Sequence, residues 1–376
     1  MAEIRPFRAL RYDPQTAGDL QDLVSPPYDV IGPEERERLR GQSTYNIVHL
    51  TLPDDEEESG PVFEHWVEEG ILRRDEVPAL WWIEQEFTGP DSVHRVREGI
   101  ACSVKVEPYE NRVVLPHERT HSGPKESRLR LLRSVRAQLE PIFLLYDSPA
   151  EPEQHLRALT EREPDLAVDD GEVETRAWHV DDQDVIREME QALVPSQLLI
   201  ADGHHRYETA MAFHLEDGSD ESAYTFAVLV NINSKGLAIF PTHRLFRRAP
   251  AEAEAWLANA ARVESIEAAR TRLEGSHAQN AFVLYERGQA YLIESDLGVL
   301  DVEVVDRLGL EGISYTADWD EAVGDVDGGV AELAVLLRPP RVEEVLAAAA
   351  AGRVMPQKST YFYPKLVSGL LFHPLG

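Results

Sequence analysis

Polar side chains that could bind phosphate follow an apolar run within residues 198–210, LLIADGHHRYETA. The run ends at Ala201, the next two residues favour a turn, and a helix is expected to begin near His205 or Arg206. Amides at a helix N-terminus and the helix dipole attract anions, while imidazole and guanidinium groups can hold phosphate oxygens. A carboxylate at the strand end can hold a Mg²⁺ ion that bridges phosphates. The predicted phosphate-binding residues are Gly203, His204, His205 and Arg206, and the predicted metal ligand is Asp202.

Two other interpretations of this segment are compatible with the sequence. Asp202 could only cap the following helix while the histidines pack internally. His204 and His205 could ligate a metal ion, but adjacent residues on a helix point in different directions. We favour phosphate binding because the segment combines a turn, a helix start and three basic side chains.

A second polar loop, PHERTHSGPK, spans residues 116–125. It contains the H-E-x-x-H pattern of zinc proteases, which requires both histidines on one face of a continuous helix. Pro116 precedes the pattern and Gly123 and Pro124 follow it closely, which leaves little room for such a helix. We therefore reject the zinc interpretation and expect a loop whose donors and carboxylate face a ligand. The candidate ligand-binding residues of this loop are His117, Glu118, Arg119 and Lys125.

Lysine is rare in this chain and occurs only at positions 105, 125, 235, 358 and 365. Because arginine has replaced most surface lysines, the remaining ones are expected where a compact ammonium charge is needed. Lys125 lies in the second polar loop, and Lys358 and Lys365 lie close together near the C-terminus. We therefore expect segments 115–128 and 355–365 to meet at the Asp202–Arg206 segment.

The composition excludes several classes of function. The chain has 37 basic and 68 acidic residues and a formal charge of −31. Such a surface repels nucleic acid and anionic membranes, so neither is an expected partner, and an anionic ligand requires a locally cationic pocket. The single cysteine argues against a disulfide framework. With no apolar signal region and no stretch of membrane-spanning length, a cytoplasmic protein is expected.

Alternating strand and helix patterns predict an α+β fold with a mixed sheet. A strand at 78–87 is expected to pair with 96–109, and buried strands are expected at 142–147 and 197–201. The pattern also predicts hairpins from 224–232 with 236–245 and within 281–294. Composition shifts near residue 250, so the expected domains are 1–250, which carries the phosphate site, and 251–376, an α+β subdomain whose segment 355–365 returns to the site.

Several blocks along nearly the whole chain resemble the family named domain of unknown function 1015. These blocks are SPPYDVI (25–31), LPHERT (115–120), GPK (123–125), RLRLLR (128–133), PIFLLY (141–146), ADGHHRYETA (201–210), PTHR (241–244) and MPQKSTYFYPK (355–365). The DGHHR block is also similar to that of free-serine kinases with the ParB/sulfiredoxin-like fold. This second resemblance implies such a core, enlarged by insertions and by the C-terminal subdomain.

The resemblance to free-serine kinases implies a Mg²⁺- and nucleotide-dependent small-molecule kinase. It implies ATP or ADP as phosphate donor and free L-serine as acceptor, with Asp202 holding the metal or acting in catalysis. The residues expected on the phosphates are His204, His205 and Arg206, with Lys125 or Lys358 adding charge. The glutamate base of those kinases comes from an earlier segment, and both Glu118 and Asp29 are candidates here. The alternative is a non-catalytic regulatory protein that binds a nucleotide or a phosphorylated metabolite.

Overall fold

The computed structural model describes residues 1–118, 122–148, 154–258, 260–309, 312–356 and 358–376, with only the backbone of residues 122–124. Contacts divide the chain into two compact units. The first comprises Met1–Leu237 and Pro364–Gly376, and the second comprises Ala238–Tyr363. The second unit thus begins before the composition shift near residue 250, and the last residues of the chain return to the first unit.

Strands form the core of both units. In chain order they are β1 (Ile4–Arg5), β2 (Leu10–Tyr12), β3 (Leu72–Arg74), β4 (Leu80–Thr88), β5 (His94–Lys105), β6 (Val114–Leu115), β7 (Ala137–Gln138), β8 (Ile142–Tyr146), β9 (Leu166–Asp169), β10 (Val173–Val180), β11 (Leu198–Asp202), β12 (Tyr224–Asn231), β13 (Ala238–Phe240), β14 (His243–Phe246), β15 (Ala261–Val263), β16 (Asn280–Glu286), β17 (Gln289–Ser295), β18 (Ile313–Thr316), β19 (Leu333–Leu337), β20 (Tyr361–Tyr363) and β21 (His373–Pro374).

Helices are interleaved with these strands along the chain. They are α1 (Pro33–Gln42), α2 (Val48–Thr51), α3 (Ser59–Glu68), α4 (Ser122–Val135), α5 (Gln154–Arg157), α6 (Gln183–Leu193), α7 (His204–Asp217), α8 (Ala251–Leu257), α9 (Ile266–Glu274), α10 (Asp301–Val305), α11 (Trp319–Asp327) and α12 (Val342–Ala350). The mixed arrangement of helices and strands confirms the α+β prediction.

A large mixed sheet forms the centre of the first unit. Its strand order within the described residues is β6–β11–β8–β12–β5–β4–β10–β9, and β1 pairs with β5. The pairs β6/β11 and β8/β12 are parallel, whereas β11/β8, β12/β5 and β4/β5 are antiparallel. Every residue of β8 is buried, as is all of β12 except Asn231, which explains their nearly unbroken apolar sequences.

The predicted hairpin between residues 224–232 and 236–245 is wrong. β12 lies between β5 and β8, and β13 pairs with β20 instead. β12 is a central strand whose two edges pair with β5 and β8, so no edge is left for the segment that follows it. The second predicted hairpin is confirmed, because β16 and β17 pair from Asn280↔Ser295 to Glu286↔Gln289.

The last residues of the chain are bonded to the body of the first unit. Ser368 exchanges backbone hydrogen bonds with Ser25, and Phe372 does the same with Leu10. β21 pairs antiparallel with β7, immediately after α4. These bonds anchor the C-terminal segment Pro364–Gly376, which includes Lys365, within the first unit.

The second unit is built on an antiparallel sheet. Its order is β15–β17–β16–β19–β14–β18, with β13 and β20 forming a separate ribbon. Leu273 of α9 and Ala322 of α11 belong to the same apolar cluster as Val283 and Leu336 of the sheet. Across the described parts of both units, no helix combines the length and apolarity needed to cross a bilayer.

Candidate functional site

The connection from β11 to α7 passes through Gly203, which has φ 94° and ψ 29°. Glycine adopts this left-handed conformation without the steric cost that a Cβ imposes. A Cβ at this position would also lie 3.1 Å from the guanidinium carbon of Arg206. α7 begins at His204, slightly earlier than predicted, so the N-terminus of a helix follows Asp202 directly. The first amides of such a helix have no partner within the helix itself.

Asp202 is held by a cation on each of its carboxylate oxygens. Arg206 Nη2 lies 2.5 Å from Oδ2, and Lys365 Nζ contacts Oδ1. The Asp202 side chain is only 14% exposed. Burial alone would raise the pKa of this carboxyl, but Lys365 and Arg206 outweigh burial and hold the pKa below its ordinary value. Asp202 is therefore ionised and fixed in place at neutral pH.

Arg206 links Asp202 to the start of β8. While Nη2 contacts Asp202, Nη1 donates a hydrogen bond to the carbonyl of Pro141. Burial disfavours the charged form, but Asp202 and then Glu140 raise the pKa of the guanidinium above its ordinary value. Arg206 therefore contributes a permanent positive charge, while two of its donor groups already contact the protein.

His117 and His204 lie together because β6 and β11 run parallel and end at the same edge of the sheet. The His117 amide donates to Nε2 of His204 at 3.3 Å, and Nδ1 of His117 donates to the Ile200 carbonyl at 2.6 Å. Burial lowers the pKa of His117 to about 4, and burial and His117 lower that of His204 well below its usual range. Both imidazoles are neutral at pH 7. If His204 meets a phosphate as predicted, it does so through a hydrogen bond and not through a positive charge.

Arg97 of β5, which sequence reasoning missed, lies close enough to Asp202 for the two charges to interact. Its guanidinium lies 4.5 Å from the ring centroid of Phe143, the residue that pairs with Asp202 across β8 and β11. Nη2 donates to Gln85 Oε1, and Gln85 Nε2 donates to the Lys365 carbonyl at 3.3 Å. Within the described chain no group accepts a hydrogen bond from Nη1. Burial lowers the pKa of Arg97 to about 9, so it remains charged at pH 7.

Among the described residues, the three cations of this cluster outnumber its two buried carboxylates. Arg97, Arg206 and Lys365 face Asp202, and the second buried carboxylate, Glu140, accepts hydrogen bonds from the Tyr28 amide and the Ser368 hydroxyl. A buried charge is costly unless a partner of opposite sign neutralises it. An anion at the N-terminus of α7 would complete the charge balance.

The remaining predicted residues lie at different distances from the cluster. Glu118 Oε1 is 3.7 Å from His117 Nε2, and the exposed Asp29 is close enough for its charge to act on Arg206. Lys125 Nζ lies 2.8 Å from Glu208 Oε2, one turn into α7. His205 is the second residue of α7 and is half-buried. Lys358 belongs to the second unit, and Arg119 lies outside the described residues.

A magnesium ion on Asp202 does not fit this arrangement. Both carboxylate oxygens already contact cationic nitrogens, which would repel a divalent cation. No group of three or more metal-ligating side chains occurs among the described residues. Asp202 is therefore better suited to position Lys365 and Arg206 than to coordinate metal.

Residues 4–310 match the family model described as "Protein of unknown function (DUF1015)". The chain belongs to this family. No curated protein matches the DUF1015 chain. Among solved structures it is similar to a free serine kinase in complex with AMP, with 18% identity, a TM-score of 0.39, and coverage of 66% of this chain and 83% of that one. It is also similar to a variant of free serine kinase in complex with ADP, with 17% identity and a TM-score of 0.40. That match covers 66% of this chain and 84% of the other.

A further neighbour of the DUF1015 chain is SbnI with C-terminal truncation from Staphylococcus aureus. It is 12% identical, with a TM-score of 0.40, and the match covers 71% of this chain and 85% of that one. Likenesses this remote do not identify a reaction or a ligand, so the function has to be argued from the site itself.

Lys365 and Arg97 carry much of the charge of the site but were not predicted site residues. Lys365 lies 163 positions after Asp202 in sequence. Two features of the sequence could have indicated Lys365: lysine is rare in this chain, and this lysine lies in the 355–365 block. Arg97 stands within an ordinary strand pattern, and only its burial distinguishes it from the surface arginines.

Proposed function

We propose that this DUF1015 protein transfers a phosphoryl group from a nucleotide to a small hydroxyl-bearing metabolite, with free L-serine as the best candidate acceptor. The observation that carries this proposal is the buried excess of cations around Asp202 at the N-terminus of α7. Arg97, Arg206 and Lys365 lie where an anionic group would also meet helix amides. In a chain of charge −31, such a pocket is a specific feature rather than a property of the surface.

Phosphoryl transfer depends mainly on positioning and on neutralisation of charge. In the proposed reaction, the acceptor hydroxyl oxygen forms a bond to the terminal phosphorus as the bond to the bridging oxygen breaks. The nucleotide leaves with that oxygen, and the acceptor gives its proton to a carboxylate base. Lys365, Arg206 and the amides of His204 and His205 would stabilise the charge on the transferred group. Asp202 would hold the two cations in position.

Two carboxylates remain candidates for the base. Glu118 follows His117, whose amide contacts the first side chain of α7. Asp29 is exposed, and its charge reaches Arg206. Glu118→Gln and Asp29→Asn each remove one carboxylate with little change in shape. The variant that loses turnover while retaining nucleotide binding identifies the base.

Mg²⁺ enters this proposal with the nucleotide. Magnesium sites commonly use substrate phosphates, several waters and only one or two carboxylates. Because both oxygens of Asp202 contact cations, the proposed protein ligand is Glu118 or Asp29. Lys125, Lys358 and Arg119 remain proposed sources of additional positive charge for the phosphates.

A direct test is to incubate the protein with Mg²⁺, ATP or ADP, and L-serine or pooled amino acids. Phosphorus NMR should show a phosphomonoester that forms with time and depends on the acceptor. Absence of any phosphoester with both nucleotides would exclude the kinase proposal.

A non-catalytic nucleotide- or phosphometabolite-binding regulator is the second candidate. The complete pairing of Asp202 favours it, because the carboxylate at the centre of the site lacks an open oxygen for chemistry. This alternative predicts nucleotide binding by calorimetry without turnover of any acceptor.

A further inference from the structure

A cleft in the second unit is lined by α12, the start of α10 and three connecting loops. Its volume is about 560 Å³, which is typical of a small-molecule site. All of its lining residues lie within Ala238–Tyr363, so it shares no residue with the phosphate site around Asp202. The apolar part of its wall consists of Val299, Leu300, Val302, Pro339, Pro340 and Ala347.

Hydrogen bonds of Arg338 hold the walls of the cleft together. Its Nε donates to Asp301 Oδ2 at 3.1 Å, and its two terminal nitrogens donate to three carbonyls of the loop 276–279. The other carboxylate oxygen of Asp301 accepts a hydrogen bond from the Ala281 amide at 3.1 Å. Because the protein itself engages both charged groups, they fix three chain segments against one another. The cleft is therefore formed before a ligand binds.

The C-terminal end of α12 fixes the backbone of Arg353 at the cleft. The amide of Gly352 donates to the Ala349 carbonyl, and the amide of Arg353 donates to the Ala348 carbonyl, each at 2.9 Å. This pair of bonds is the usual way to end a helix on a left-handed glycine, and Gly352 has φ 70°. The side chain of Arg353 remains exposed.

The charge of Arg353 is not neutralised by the protein. The two other arginines of the cleft each have a carboxylate partner. Arg338 pairs with Asp301 at 3.1 Å, and Arg341 pairs with Glu344 at 2.6 Å. No described residue forms an ion pair or a hydrogen bond with the Arg353 guanidinium. Positive charge is therefore in excess in this cleft, although the chain as a whole has a formal charge of −31.

The walls and the charge together favour an organic anion over an inorganic one. A guanidinium presents two parallel N–H donors that match the two oxygens of a carboxylate. A small inorganic anion would use only this charge and would leave the apolar wall in water. An apolar body attached to the carboxylate would gain free energy by covering that wall.

We propose that this cleft binds a small organic acid. The carboxylate of the ligand pairs with Arg353, and its apolar body lies against Leu300, Pro340 and Ala347. Binding of this acid does not require phosphoryl transfer at the Asp202–Arg206 segment.

Calorimetric titrations with three compounds separate the contributions of charge and apolar surface. The compound 2-naphthoate has a carboxylate and an apolar body, 2-naphthylmethanol has the same body without the charge, and acetate has the charge alone. Wild-type protein should bind 2-naphthoate at least about tenfold more tightly than either of the others, since a hydrogen-bonded charge contributes a factor of this order. Arg353→Gln should weaken 2-naphthoate binding about tenfold and leave 2-naphthylmethanol binding unchanged.

Two further variants complete the test, and both change exposed positions. Ala347→Phe fills the cleft from α12 and should weaken the binding of both naphthyl compounds. Arg262→Gln removes an exposed arginine of β15 that does not line the cleft, and it should bind 2-naphthoate as wild type does.

Equal affinity of wild type for 2-naphthoate and 2-naphthylmethanol would overturn the proposal. Equal losses in Arg353→Gln and Arg262→Gln would also overturn it, because they would show that only the overall charge matters. Unchanged binding by Ala347→Phe would place the ligand outside the cleft. If Ala347→Phe does not fold, the comparison of Arg353→Gln with Arg262→Gln decides the outcome.

Discussion

Two lysine–carboxylate pairs in the first unit have the same chemistry but different surroundings. Lys105 lies 2.8 Å from Glu3, and the two side chains are 40% and 49% exposed. Lys365 contacts Asp202, and these side chains are 19% and 14% exposed. Water and salt screen the first pair, so it contributes little to stability. The second pair is desolvated and shares its carboxylate with Arg206, so its charges have to be matched by neighbours.

The comparison shows why lysine rarity alone is an incomplete guide to function. Both residues are among the few lysines of the chain, yet only Lys365 lies among buried cations. The difference comes from burial, which amplifies an electrostatic interaction that is weak at the surface. Matched substitutions in the Lys105–Glu3 and Lys365–Asp202 pairs therefore test whether burial accounts for the difference.

The largest effect is expected from removing the charge of Asp202. Asp202→Asn should lower the rate of phosphoester formation on the order of 10²–10³-fold, because Lys365 and Arg206 lose the group that positions them. Glu3→Gln removes the matching carboxylate at the exposed pair and should retain the wild-type rate. Initial rates at saturating nucleotide measure the difference, with circular dichroism to confirm folding. Full activity of Asp202→Asn would remove Asp202 from the mechanism.

A smaller effect is expected on the free energy of unfolding. Lys365→Met should lower it by about 3 kcal/mol, since the buried Oδ1 of the Asp202 carboxylate loses its hydrogen-bond donor. Lys105→Met should lower it by less than about 1 kcal/mol. Urea titrations of both variants measure these differences. Equal losses would show that burial does not distinguish the two pairs.

Much of the local structure around the site could be predicted from the sequence. The strands and side chains that contact it from distant parts of the sequence could not. The apolar run before Asp202 and the glycine after it predicted the strand, the turn and the helix correctly. The run at 224–232 also predicted a strand, yet its neighbours are β5 and β8, which are far away in sequence. Local patterns record which residues are buried, whereas strand pairing is decided by contacts across the whole unit. Lys365 and Arg97 escaped prediction for the same reason, because only the sheet brings them to Asp202.

A further effect is expected from pH. The pKa of His117 is lowered to about 4 by burial, and that of His204 is lowered well below its usual range. Between pH of about 6.5 and 4 the unfolded chain binds these protons and the folded chain does not, so stability falls as pH decreases. The slope should reach about 1.4 kcal/mol per pH unit for each histidine.

His117→Asn should reduce this slope, because the asparagine amide can still donate to the Ile200 carbonyl but does not titrate. Asp202 adds a further loss below pH of about 4, since its pKa is lowered in the folded state. Urea unfolding between about pH 2 and pH 8 measures both effects. An equal slope for wild type and His117→Asn would show that His117 is not the group that titrates.

The most direct measurement of the central claim is a pyrophosphate titration of wild type, Lys105→Met and Lys365→Met by calorimetry. If the buried cations around Asp202 form an anion site, wild type and Lys105→Met should bind pyrophosphate equally. Lys365→Met should bind at least tenfold more weakly while remaining folded at the temperature of the titration. Equal binding by all three proteins, or no binding by wild type, would contradict the assignment of the phosphate site to the Asp202–Arg206 segment.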